Sequence, residues 1–294
     1  MTTEKLGFIG LGTMGLPMSL NLLNAGNDLA IWGRNPDKLK DAVIAGGELM
    51  ATPKNLGEIC DVIFLCVFDS NAVNEVVFGK NGIAKGASKN LMIVDHSSIH
   101  PEHTREMAKK LKKETGASWV DCPVSGGRYG ARDGTLVMMA GGRKKDINRL
   151  RPIVASTSQR LTHMGPVGCG QATKLVNQAV IGAEIAVLAE MFGFANRYGV
   201  KVKEIPDALA GGWADSTVLQ DHARRMIRAD YWETAPGNTV KDLNTVCEMG
   251  RTTGSPMPIA ALTTELYRYL GAQGHSSKGQ IGLMHLYVQE ALDK

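Results

Sequence analysis

The sequence predicts an α/β fold: an N-terminal, doubly wound, mostly parallel Rossmann-type sheet, one long bridging helix, and an all-α C-terminal domain. Three observations predict it. Short apolar runs alternate with helical patterns through the first half of the chain. A glycine-rich turn at residues 10–15 joins the first apolar run to the first helical pattern. Beyond residue 170 no run reads as a strand.

The elements follow in order. Leu6, Phe8 and Ile9 form a first strand, residues 10–15 the turn, then a helix, then a second strand at residues 29–32. The continuous apolar run at 61–67 (DVIFLCV) suits a parallel sheet covered on both faces, as does 91–95 (LMIVD). A further strand begins at 119–121, before Pro123, and another at 135–140 ends at Gly141-Gly142. Residues 160–163 read as a last short strand. Helical patterns occupy 36–45, 71–77, 101–115 and 145–155. The character changes after Gly165-Pro166. Residues 170–198 run without a proline and predict one long helix, followed by helices at 202–209, 216–227, 240–253, 258–270 and 277–292. The expected domains are therefore 1–165, the bridging helix within 166–198, and 199–294, a division that a chain of 294 residues accommodates.

The first turn carries chemistry. Gly10-Leu11-Gly12-Thr13-Met14-Gly15 is GxGxxG placed between a strand and a helix, the fingerprint of dinucleotide binding. Gly10 allows the tight turn, Gly12 lets the backbone approach a pyrophosphate, and Gly15 lets helix and strand pack closely. The free N–H groups of the helix N-terminus receive the anion. At the end of the second strand NAD binders place an acid for the ribose 2′-hydroxyl. Here no acid occurs before Asp37, and Arg34, Asn35 and Lys38 stand instead. A planar guanidinium with a lysine nearby suits a 2′-phosphate, so NADP is expected ahead of NAD; the same residues also fit a solvated basic turn. Ser97 and Ser98 follow the LMIVD strand, at the carboxyl end where such sheets hold ligands. Val67 and Phe68, after the third strand, are expected to pack on the adenosine or pyrophosphate.

Composition excludes several classes. Apolar residues make up 44% and charged residues 21%, ordinary for a globular protein. A net charge of +4, dispersed along the chain, does not point to nucleic acid. The runs around Lys109 to Lys113 and Arg143 to Lys145 read as solvated helix faces. Five cysteines (60, 66, 122, 169, 247), odd in number and without CxxC spacing, read as reduced thiols of a cytoplasmic protein. His96, His100 and His103 flank Pro101 without a supporting acid-and-cysteine group, so no metal site is expected. The first strand leaves no room for a signal peptide, and no apolar stretch is expected to span a membrane.

Four motifs in order carry a resemblance: FIGLGTMGLPM (8–18), DCPVSGG (121–127) with GTLVMMAGG after it, GQATKLVNQ (170–178), and KDL (241–243). Through them nearly the whole chain resembles the β-hydroxyacid dehydrogenases, the group that includes 3-hydroxyisobutyrate dehydrogenase and tartronate semialdehyde (2-hydroxy-3-oxopropionate) reductase. GQATKLVNQ and GGWADSTVL (211–219) look most like the reductase branch. The resemblance makes Lys174 the acid/base group that exchanges a proton with the substrate oxygen during hydride transfer. Lysine suits this role because its charge responds readily to burial and neighbouring cations. Asn177 and Gln178, three and four residues on, share its helical face and are candidates to orient it or bind the substrate oxygen. By the same resemblance Ser125, Gly126 and Gly127 clamp the substrate carboxylate. Lys241 reaches that carboxylate or the cofactor, with Asp242 as its structural partner.

Three places depart from the family pattern. Arg128 follows the SerGlyGly turn, Trp213 and Asp215 interrupt a stretch that is smaller in the reductase branch, and residues 235–240 (APGNTV) are polar. Arg128 either adds a cation at the substrate entrance, favouring a longer or second anionic group, or is simply a surface residue. The implied function is hydride transfer between NADP(H) and a small 3-hydroxy acid or its semialdehyde. Imine reduction on the same scaffold and a non-catalytic dinucleotide-binding module are the rivals. A homodimer or homotetramer is expected.

Overall fold

The computed structural model describes residues 4–231, 237–275 and 277–288. It divides into two compact units, one ending at Lys174 and one starting at Leu175.

In the first unit β1 (Leu6–Ile9), α1 (Gly15–Asn24) and β2 (Leu29–Trp32) form a βαβ unit, with Leu6 to Ile9 paired in parallel to Leu29 to Trp32. A 3₁₀ turn at Pro36–Leu39 leads through α2 (Lys40–Ile44) to β3 (Glu48–Leu49), a two-residue strand at the sheet edge. The chain then crosses back through α3 (Pro53–Ile59) to β4 (Val62–Leu65), which pairs with β1 on its other side. After β4 come α4 (Ser70–Phe78), β5 (Met92–Asp95), α5 (Pro101–Thr115) and β6 (Ser118–Asp121). The order β3-β2-β1-β4-β5-β6 reverses direction between β1 and β4. That reversal is the topological switch point, where the carboxyl ends of the strands open a crevice for ligands.

Both faces of this sheet are covered, which explains the uninterrupted apolar runs. Successive strand residues point to opposite faces. Phe8, Val62, Phe64 and Val94 therefore pack with Met18 and Leu22 of α1 on one side. Ile9, Ile63, Leu65 and Ile93 pack with Leu56, Val73 and Leu111 on the other.

The sheet continues through β7 (Val124–Ser125), α6 (Gly127–Arg132), β8 (Leu136–Gly141), α7 (Lys144–Ile153) and β9 (Ser158–Gly165). Here β8 runs antiparallel to β6 and β7, while β9 lies parallel to β8 with two register shifts. The chain reverses at α6, whose six residues form no amphipathic pattern and were not expected from the sequence. The helix α8 (Cys169–Tyr198) then begins and spans 30 residues. Contrary to the expectation of no membrane-length apolar stretch, α8 is long and apolar enough to cross a membrane by length and composition alone. Its apolar side chains Ile185, Ala189 and Phe192 are instead buried in a protein core.

That core belongs to the second unit, where they meet Leu219, Met226, Leu243, Tyr267 and Leu283. The elements are α9 (Ile205–Leu209), a π-helical turn (Leu219–Ala223) running into α10 (Arg224–Ile227), α11 (Gly237–Thr253) and α12 (Pro258–Ala272). No strand occurs among its described residues. The helix expected over 277–292 is not an α-helix where it is described. It is a 3₁₀ segment, Gln280–Leu286, entered from Gly279 at φ 67°, a left-handed conformation that an α-helix does not contain. Residues 289–292 lie outside the described ones.

Candidate active site

The glycine turn lies at the carboxyl end of β1, beside the switch point. Gly10 has φ 97°, and a Cβ there would stand 2.2 Å from the Cys66 carbonyl oxygen. A Cβ on Gly15 would stand 2.1 Å from the Gly10 oxygen, so α1 starts as close to β1 as backbones permit. At Gly12 a Cβ would meet nothing within 4 Å. The loop is thus steric on its inner side and open on its outer side. In the first turn of α1 the Leu16 N–H is taken by the Gly12 oxygen at 3.0 Å and Pro17 has no N–H, and the helix dipole is positive there. These features fit the pyrophosphate of a dinucleotide. Leu11 is buried against the core, whereas Thr13 is exposed and Met14 half-buried.

At the end of β2, Arg34, Asn35 and Lys38 are all exposed. Asn35 has a structural duty: its Oδ1 accepts the Asp37 N–H at 2.9 Å and caps the 3₁₀ turn. The pair Lys40–Asp37, 2.7 Å apart, is well exposed and contributes little to stability.

The ends of β4, β5 and β6 are joined by a buried polar network. The Val67 N–H donates to Ser97 Oγ at 3.0 Å, and the Ser97 N–H donates to Asp95 Oδ1 at 2.9 Å. Asp95 is fully buried with Oδ2 unpartnered, and burial pushes its carboxyl up to about 7. His96 stacks on Phe64 with ring centroids 5.5 Å apart. Its Nδ1 lies 2.6 Å from the Cys122 carbonyl oxygen, which can only accept, so Nδ1 carries the proton. Burial pushes this imidazole down to about 4, leaving it neutral. His100 accepts the Glu102 N–H through Nδ1, and His103 Nδ1 meets Ser70 Oγ at 3.2 Å. All three histidines of the segment thus have structural contacts. Among the described residues no group of three histidine, cysteine, aspartate or glutamate side chains is arranged to hold a metal ion. Phe68 is exposed and Ser98 half-buried on the loops that follow β4 and β5.

Asp121, at the end of β6, ties down the start of α8. It is fully buried; Oδ1 accepts the Gly168 N–H at 2.8 Å and Oδ2 the Gln171 N–H at 2.9 Å. Burial raises its carboxyl, and the backbone donors pull it part of the way back. Gly170 completes the contact, because a Cβ there would stand 2.4 Å from the Met139 oxygen and 2.5 Å from the Asp121 oxygen. Gln171 reaches back across the sheet, donating Nε2 to the Ser97 oxygen at 2.7 Å and accepting the Ile99 N–H at 3.2 Å. Lys174 sits half-buried in the second turn of this helix.

Ser125 closes β7, paired with Val137 of β8, and is half-buried. Gly126 and Gly127 follow at φ 125° and 59°, exposed, with open space beside Gly127. Arg128 holds its guanidinium 5.0 Å from the Tyr129 ring centroid and donates Nη2 to Tyr129 Oη at 3.1 Å.

In the second unit Asn177 donates to Gln178 Oε1 at 3.0 Å, and Gln178 donates to Asp242 Oδ2 at 3.1 Å. Lys241 Nζ lies 3.5 Å from Asp242 Oδ1. Asp242 thereby connects three of the residues singled out in the sequence. Trp213 is fully exposed, while Asp215 accepts the Gly211 N–H and the Gln220 amide, closing its own turn. Residues 235 and 236 lie outside the described ones.

Sequence reasoning passed over Asp95, Asp121 and Gln171. The available sign was an acid ending each of two otherwise apolar strands, LMIVD and WVD, since a charged residue at a buried position needs a partner.

A glycine turn at the switch point of a doubly wound sheet, with a lysine-bearing helix anchored at the ends of β5 and β6, is the arrangement expected of a dinucleotide-dependent oxidoreductase. Residues 5–165 match the NAD-binding domain of 6-phosphogluconate dehydrogenase, and residues 168–287 match the NAD-binding region of NADP-dependent 3-hydroxyisobutyrate dehydrogenase. The chain is 36% identical over 294 residues to the 2-hydroxy-3-oxopropionate reductase of Escherichia coli, covering 98% of this chain and 97% of that one. Among solved structures, the 3-hydroxyisobutyrate dehydrogenase of Mycobacterium tuberculosis with L-serine superposes with a TM-score of 0.87 at 24% identity, covering 97% of this chain and 99% of that one. The imine reductase of Streptomyces aurantiacus is more distant, with a TM-score of 0.64 at 17% identity over 96% of this chain and 99% of that one. The chain belongs to the 3-hydroxyisobutyrate dehydrogenase family of β-hydroxyacid dehydrogenases, and it is an NAD(P)-binding oxidoreductase.

Proposed function

We propose that the protein interconverts a small 3-hydroxy acid and its semialdehyde with NADP(H), tartronate semialdehyde being the leading substrate. The observation that carries this reading is Lys174, half-buried in the second turn of a helix whose first turn is bonded to the strand ends. The bound nicotinamide supplies or takes up the hydride. In the reducing direction the Lys174 ammonium donates its proton to the aldehyde oxygen as the hydroxyl forms; in the oxidising direction the amine takes that proton back. The ammonium also steadies the charge that develops on the oxygen.

Ser125, Gly126 and Gly127 receive the substrate carboxylate through a hydroxyl and backbone N–H groups, on an exposed turn whose glycines have φ 125° and 59°. Asn177, Gln178 and Lys241 are assigned to the same substrate, with Asp242 holding them in one chain of contacts. Residues 10–15, Val67, Phe68 and Ser98 line the dinucleotide, and Lys241 serves its nicotinamide end or the carboxylate. Arg34 and Lys38 take the 2′-phosphate; their exposure and the absence of an acid between the end of β2 and Asp37 support NADP over NAD. Five free cysteines support a reducing, cytoplasmic setting. The exposed row Val180, Val187, Met191, Phe194 and Tyr198 on α8 supports a homodimer or homotetramer.

The test is oxidation of NADPH and of NADH by tartronate semialdehyde, with Lys174→Ala and Arg34→Ala in parallel and a cyclic imine as competing substrate. Turnover faster with NADPH is expected. Lys174→Ala should lower kcat by about 10²–10⁴-fold, and Arg34→Ala should raise KM for NADPH while sparing NADH. Equal use of both cofactors overturns the Arg34 assignment alone. Turnover of the imine but of no semialdehyde overturns the substrate class. Tight NADPH binding without any turnover points to a binding module.

A further inference from the structure

Gln171 has no part in the chemistry just described, yet it is one of the most completely engaged side chains in the first unit. It is 1% exposed, and both ends of its carboxamide are bonded to the main chain of a single turn, residues 97–99. A donor and an acceptor set side by side on a plane imitate the edge of a peptide unit. Gln171 therefore pairs with that turn much as a neighbouring strand would. Its own N–H is held by Asp121, so the residue is fixed by backbone and side chain together.

Both partners lead toward the reacting groups. The turn it grips includes Ser98, and Ser97 Oγ accepts the Val67 N–H, which sets the loop after β4. On the helix side, Lys174 follows three residues later, roughly 4.5 Å along the axis at 1.5 Å per residue. A helix turns about 100° per residue, so the two carboxamide bonds form at one rotation of the α8 start and at no other.

We propose that Gln171 is a positioning residue for hydride transfer: its carboxamide sets the rotation of the helix start that bears Lys174 against the wall formed by Val67 and Ser98. This rests on the reading of Lys174 as the acid/base group. A polar clamp serves here where an apolar residue would fill the same space, because only the clamp specifies an angle.

Two variants test it, Gln171→Met, which keeps length and volume, and Gln171→Glu. In Gln171→Met, kcat for the semialdehyde should fall about 10–100-fold, the loss that follows a displacement near 1 Å, with KM for the substrate unchanged. The glutamate variant separates positioning from packing. When protonated, its carboxyl donates to the Ser97 oxygen and accepts the Ile99 N–H, rebuilding both bonds; when ionised, it faces a carbonyl oxygen and repels it. Asp95 and Asp121, the buried acids of the same network, favour the protonated form, and His96 is neutral there. The ratio of variant to wild-type kcat should therefore climb toward one as pH falls for Gln171→Glu and stay flat for Gln171→Met. A folded Gln171→Met with wild-type kcat, or a ratio for Gln171→Glu that is flat in pH, overturns the inference while the dehydrogenase reading stands. A wild-type protein silent on every hydroxy acid and semialdehyde removes that reading and the inference with it.

Discussion

Alanine at Gly170 and alanine at Gly12 are the same chemical change with opposite consequences. At Gly170 the new methyl carbon meets two carbonyl oxygens, of Met139 and Asp121, at 2.4 and 2.5 Å, and the Asp121 carboxylate at 2.8 Å. None of these is the free end of a flexible side chain, so α8 has to lift away from β6 and β8. Overpacking of this kind costs about 1–3 kcal/mol per site and more against backbone. The helix propensity gained over glycine returns at most about 1 kcal/mol. A lifted helix also lengthens the bonds from Gly168 and Gln171 to Asp121, each worth about 1.5–3 kcal/mol as a bond to a charged acceptor. The net loss expected is about 2–4 kcal/mol. For a unit of this size each kcal/mol lowers Tm by about 2–4 °C, giving a fall of about 4–16 °C by circular dichroism. At Gly12 nothing stands within 4 Å, so Tm should hold within about 1 °C while the methyl occupies the path of the pyrophosphate. A Kd for NADPH at least tenfold weaker, about 1.4 kcal/mol, should appear by fluorescence titration. A Gly170→Ala protein that melts with the wild type refutes the steric account of the helix start. A Gly12→Ala protein that binds NADPH normally refutes the placement of the dinucleotide.

Two further outcomes are expected. Arg128→Ala should raise KM for hydroxy acids bearing a second carboxylate about tenfold, 1.4 kcal/mol of charge-assisted bonding, and leave monocarboxylates unaffected; an unchanged substrate profile returns Arg128 to the surface. The Asp95 carboxyl is raised to about 7 in the folded chain, against about 3.9 unfolded. Its stabilising contribution is present below about pH 4 and lost as pH climbs toward 7. Asp95→Asn should therefore gain stability relative to wild type as pH rises through that window in urea titrations. Parallel curves for the two proteins would rule this out.

Much of the fold was readable because its strands are covered on both faces. A strand such as VIFL of β4 leaves no polar interruption, and α5 spans Pro101–Thr115 as expected, opened by Pro101 and closed by Gly116 at φ 79°. The antiparallel entry of β8 was not readable, because it depends on the two-residue β7 and on α6, neither long enough to show a period. The 3₁₀ segment at Gln280–Leu286 kept an apolar content that suggested a helix, while its geometry follows from Gly279. At the candidate site the glycine turn and Lys174 announce themselves through local motifs. The Asp95, Asp121 and Gln171 network does not, since Asp121 meets Gly168 across 47 positions and Gln171 meets Ser97 across 74. Pairings at such separations leave no periodic trace, and only the acids ending two apolar strands hinted at them.

The register shifts along β8 and β9 carry a consequence for the molecule's behaviour in a crowded solution. An eight-residue strand with one open side invites a second molecule to add a strand of its own. Here the ladder is irregular at two places, and Arg151 takes the Leu161 carbonyl at 2.9 Å. Gln159 and Arg160 are exposed, while His163 Nε2 meets the Gly142 and Gly165 carbonyl oxygens at 2.9 Å. A flat, regular template is missing, which disfavours edge-to-edge aggregation along this strand.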